Sequence, residues 1–281
     1  MRFSRMIPLF LILVFAALGC GESSDGGPDP SGDMSIIGDQ GTEPYVKPIA
    51  RFELSSPTTS TALGDIPFPN NLYLDPTGHI QIDNFAFNLS GSLVGKLLAT
   101  LKEHVVGFAC AGTHYMSFAG PVDTQRLPMS GADSLLEESP LFLVDIDPDS
   151  AFEGTRYPVR WRFQTEETLY LPAHTLSIRP VEGLALRPST TYAMVLTTDV
   201  AELSPGFSAM LDSEPQQGQE APWALYAPIR ELVAQGLAIA NASVFTTMDP
   251  VSEMFQLADH IESLPSPEVL SLTRAGSFPG L

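Results

Sequence analysis

Residues 159–164 read VRWRFQ. Val159, Trp161 and Phe163 alternate with Arg160, Arg162 and Gln164, and in an extended chain successive side chains point to opposite faces. One face is therefore apolar and the other polar, the pattern of a half-buried strand. Leu176 and Ile178 repeat it against Thr175, Ser177 and Arg179. Leu141 to Ile146 (LFLVDI) and Thr190 to Thr197 (TTYAMVLT) are unbroken runs rich in β-branched and aromatic residues, bounded by turn formers. Arg51 to Leu54, His114 to Phe118 and Ser243 to Thr246 are shorter strand candidates. Strands spaced by turns, with no regular helix between them, predict a mainly β chain folded as an antiparallel β-sandwich with helical decorations.

Three stretches carry helical spacing instead. Leu89, Leu93, Leu97, Leu98 and Leu101 recur on one face, with Asn88 or Ser90 as N-cap, giving a helical insertion near residues 88–104. Pro228 to Gln235 (PIRELVAQ) opens on proline and stops at Gly236. Asp249-Pro250 is an acidic cap and proline ahead of Met254, Phe255, Ala258 and Ile261. All three apolar stripes are expected to face the core.

Composition narrows the function classes. The chain has 281 residues, with 14 Lys and Arg against 33 Asp and Glu, a formal charge of −19. So few cations, spread over the whole length, leave no basic stripe for a phosphate backbone, and nucleic acid is excluded as a partner. Two cysteines exclude a disulfide scaffold and a cysteine-rich zinc module.

The first residues read as an address. Arg2 and Arg5 precede the apolar run Ile7 to Leu18, which is too short to span a bilayer as a helix, and Gly19-Cys20 closes it. Ala17-Leu18-Gly19-Cys20 resembles the bacterial lipoprotein lipobox. That resemblance implies a signal peptide over 1–19, cleavage before Cys20, and acylation of Cys20 as lipid anchor. Gly21 stands where an Asp retains many lipoproteins in the inner membrane, so the implied location is the outer membrane, on its periplasmic face or at the cell surface. Residues 20–44 then form a disordered tether. Positions 21–44 hold six acids, six glycines and no basic residue, which cannot build a core. As a flexible coil such a stretch spans roughly 25–30 Å. The expected organisation is a sandwich over 45–205 and a helix-rich extension over 206–281 leading to a further domain.

Ile66-Pro67-Phe68-Pro69-Asn70-Asn71-Leu72-Tyr73, followed by Gly78-His79-Ile80-Gln81-Ile82, resembles the opening of the N-terminal domain of bacterial virulence-factor-type lipases. Asn71 replaces the usual Asp of that run, and Thr77 rather than Asp precedes Gly78. Tyr115 onward (YMSFAGPVD), Phe142 onward (FLVDIDPDS) and Leu176 to Val200 resemble the bacterial Ig-like module of that family and of S-layer proteins. Leu186-Arg187-Pro188-Ser189-Thr190-Thr191-Tyr192 fits its L-x-P-x-T-x-Y hairpin, and Val244 to Pro250 resembles its exit. The resemblance spans residues 48–263 and rests on turns and strands. It implies an Ig-like sandwich in a lipoprotein whose hydrolase domain lies downstream or on a partner.

Few residues offer chemistry. No G-x-S-x-G elbow is present; Ser92 in GSLVG and Ser277 in GSFPG lack its pattern. Cys110 lies between His104 and His114, but among Phe108, Ala109 and Ala111 it reads as a small buried hydrophobe. Asp145, Asp147 and Asp149 alternate like the start of a calcium loop. Ser150 then replaces its glycine and Arg156 its bidentate glutamate, so a solvated strand end and a Pro-Asp turn account for the same residues. The five histidines have no zinc spacing, and no phosphate-binding glycine loop occurs. No catalytic residue and no cofactor is assigned. The sequence supports three readings: a lipid-anchored non-catalytic Ig-like module acting as spacer, scaffold or binding face; the front of a lipase or esterase; and a calcium-dependent adhesin.

Overall fold

The computed structural model describes residues 45–54, 64–81, 93–168 and 171–266. The expected signal peptide, Cys20, the expected tether, Leu89 and the expected caps Asn88 and Ser90 lie outside the described residues.

Among the described residues seven strands make two antiparallel sheets. β1 (His114–Ser117), β5 (Thr175–Pro180) and β4 (Val159–Gln164) form one, in the order β1-β5-β4. β3 (Arg156–Tyr157), β2 (Leu141–Asp145), β6 (Thr191–Thr197) and β7 (Ile239–Thr246) form the other, in the order β3-β2-β6-β7. The chain is a mainly β, sandwich-like fold with few helices.

Burial explains why the strands read differently. β2 is buried throughout, β6 over its five central residues and β7 over all but its last. A sheet covered on both faces has no solvent side, so β2 and β6 read as near-continuous apolar runs, whereas β7 buries the polar Asn241 and Ser243 among its apolar residues. β4 alternates: Val159 is buried, Trp161 and Phe163 are half-buried, and Arg160 and Arg162 are exposed. Trp161 donates its indole N–H to the Pro128 carbonyl at 2.6 Å, so its polar tip is satisfied where its ring is covered. The sheets meet through rings. His114 of β1 lies 4.4 Å from Phe245 of β7, which stacks 5.9 Å from Tyr192 of β6.

The N-terminal segment lines the outer edge of β1. Ala50 bridges Phe118, Phe68 bridges Tyr115, and the Arg51 amide donates to the Ser117 carbonyl. Arg51 to Leu54 is not the strand that its pattern predicts; the pairing is limited to bridges at Ile49 and Ala50. The IPFPNNLY run is pinned to the far sheet by its amides. Asn71 makes two bonds to Thr246, and Asn70 donates to the Tyr226 hydroxyl at 2.8 Å. That hydroxyl in turn donates to the Ala242 carbonyl.

The helices are α1 (Leu93–His104), α2 (Pro205–Leu211), α3 (Glu220–Leu225), α4 (Ala227–Ala234) and α5 (Ser252–Ser263). β7 falls within 206–281 yet pairs along β6, so α2 to α4 stand between two neighbouring strands of one sheet. Of the three stripes expected in the core, only that of α4 is there, through Ile229 with Leu232 and Val233 against it. α1 is half-buried with Leu93 exposed, and α5 has no buried residue. The pattern gives an apolar face its period, not its cover.

Candidate functional site

The Asp145–Asp149 loop leaves β2 with the carboxylates of Asp145 and Asp147 in use. Asp145 is fully buried and accepts from the Asp147 amide and, at 2.7 Å, from the Ser150 hydroxyl. Asp147 accepts from the amides of Asp149 and Thr191, tying the loop to the start of β6. These are turn bonds in which short carboxylates satisfy nearby amides. Among the described residues no group of three or more His, Cys, Asp or Glu side chains could hold a metal ion.

Cys110 is half-buried and donates its thiol toward the Met248 carbonyl at 3.5 Å. Burial, with the Asp249 charge adding to it, pushes the thiol above its ordinary value, the opposite of what a nucleophile needs. The histidines do not converge. His104 and His260 are exposed, His79 bonds Thr77 within one turn, and His174 stacks on Phe163. His114 is buried with its Nδ1 lacking a partner, and burial holds it down to about 3, so it stays neutral.

What the structure leaves open is α5. The Asp249 carboxylate accepts from the Val251 and Ser252 amides, so the acidic start signal works, although the helix begins at Ser252. Met254 is 54% exposed, Phe255 67%, Leu257 51% and Ile261 58%. Val251 and Leu264 continue the face at either end. An exposed apolar face of this kind is a candidate interaction surface. Its composition was legible in the sequence; its exposure was not.

The chain matches no family model, no curated protein and no solved structure. Among the described residues no helix is long and apolar enough to cross a membrane.

Proposed function

We propose that the chain is a bacterial cell-envelope lipoprotein, anchored in the outer membrane through acylated Cys20, whose sandwich is a non-catalytic Ig-like module. The observation that carries the Ig-like reading is the strand order. In chain order β1 to β7 take the places B, C, C′, D, E, F and G: β1-β5-β4 follows B-E-D, and β2-β6-β7 follows C-F-G. β3 extends the second sheet beyond β2, and Ala50 pairs beside β1 where strand A would lie. Tyr192, at the start of β6, accepts the Arg187 amide at 3.1 Å, as the tyrosine at the corner before strand F does in such sandwiches. The module serves as a spacer, scaffold or binding face held off the membrane by the tether.

The anchor is tested by Cys20→Ser with detergent-phase partitioning. The parent is expected in the detergent phase and the variant in the aqueous phase, and neither turns over short-chain nitrophenyl esters. Equal partitioning of the two forms removes the anchor, and turnover removes the non-catalytic reading. A second reading, the front of a lipase or esterase whose hydrolase domain lies outside this chain, is favoured by the bare apolar face of α5, which a further domain would cover.

A further inference from the structure

α5 is a 12-residue helix, about 18 Å long, that buries none of its own side chains. Met254, Leu257, Ala258 and Ile261 stand at i, i+3, i+4 and i+7, the spacing of a helix that seats in a groove. Glu253, Asp259 and Glu262 are its charged residues, and it has no Lys or Arg. Those charges discriminate between occupants. A helix lying on a membrane carries cations for the anionic headgroups, whereas this one carries acids on a chain of charge −19. A second copy of α5 would bring the same acids face to face.

We propose that α5 is a docking helix whose apolar face seats in an apolar groove of a protein surface rimmed by Lys and Arg. The inference stands on the geometry and charge of α5, independently of the lipid anchor and of any hydrolase. Acids flanking the apolar stripe then meet cations at the rim, which orients the helix and raises the encounter rate.

The test places a benzoylphenylalanine photocrosslinker at Phe255, or at Gln256 on the polar face, in the full chain within its native cell. The Phe255 position is expected to give one discrete protein adduct, about tenfold stronger than the Gln256 position. The crosslinked partner peptide carries Lys or Arg beside apolar residues. Glu253→Lys with Glu262→Lys lowers the adduct about tenfold. The same variant melts like the parent because no residue of α5 is buried, so loss of the adduct is not loss of the fold. A yield unchanged by charge reversal overturns the proposal. So does an adduct with a second copy, with lipid, or with residues 267–281 of the same chain, and so does α5-dependent binding of the purified chain to phosphatidylglycerol vesicles.

Discussion

Trp161 and Arg160 are neighbours in sequence on opposite faces of β4, and they separate packing from solvation. Truncating a large core aromatic costs about 3–5 kcal/mol. Trp161 is half-buried with its indole bonded to Pro128, so Trp161→Ala is expected to cost about 2–3 kcal/mol in urea denaturation. Arg160 is exposed and pairs across 3.6 Å with an exposed Glu182, so Arg160→Ala should shift stability by no more than about 0.5 kcal/mol. A larger loss from Arg160→Ala than from Trp161→Ala would mean that the two faces of β4 are reversed. His114 sets a pH dependence. Its folded pKa of about 3 lies below the ordinary 6.5, so between these values the unfolded chain binds a proton that the folded chain refuses. Its contribution is therefore intact above pH 6.5 and is lost as pH falls toward 3. His114→Phe, beside the Phe245 ring, should flatten the fall in stability between pH 6 and 4 by up to about 1.4 kcal/mol per pH unit. Parallel curves for parent and variant would place the titration elsewhere. The alternation around Trp161 was legible because one side of β4 faces water. The burial of His114 was not, because His and Tyr115 alternate there without declaring which side is covered.

At the scale of elements, α2 shows sterics opposing propensity. Ser204 caps its first turn, accepting from the Phe207 amide, and donates its hydroxyl to the Phe52 carbonyl. Gly206 comes two residues later, and a Cβ there would run into that same backbone carbonyl. Alanine is the better helix former by about 1 kcal/mol. A clash with backbone cannot be relieved by a rotamer, and overpacking costs about 1–3 kcal/mol. Gly206→Ala is thus expected to destabilise by on the order of 1 kcal/mol, read as a lower thermal midpoint; a higher midpoint would show that α2 and the Phe52 segment part freely. α2 and α3 have seven and six residues, too few turns for a period to declare itself, and neither stood out in the sequence. β2 and β6 did, since strands buried on both faces spell continuous apolar runs. β7 was legible only over Ser243 to Thr246, because Ile239-Ala-Asn-Ala offers little β-branched or aromatic signal. In α5 the amphipathic period was read correctly and its cover was not, since the same stripe serves a core and a partner.

At the scale of the molecule, the sheet closes late in the chain. β6 lies between β2 and β7, and β7 arrives only after α2 to α4 have intervened. β7 brings Phe245 against Tyr192 and His114, while the Tyr226 hydroxyl joins Asn70 to the Ala242 carbonyl. A chain cut after residue 205 loses Phe207, Met210, Tyr226, Ile229, Ile239, Val244 and Phe245, all buried. At about 1.5–3 kcal/mol for each buried large side chain, the loss is on the order of 10–20 kcal/mol. Whole domains are stable by only about 5–15 kcal/mol. Residues 45–205 are therefore expected to show no cooperative transition, whereas residues 45–250, which keep β7 and lack only α5 and the residues after it, should unfold in one step. Urea titrations followed by tryptophan fluorescence, from Trp161 in 45–205 and from Trp161 and Trp223 in 45–250, make the comparison. A sharp transition in 45–205 would mean that the first six strands fold alone, with β7 and its helices as an appendage. A single transition in 45–250 alone makes sandwich and helices one cooperative unit that folds without α5.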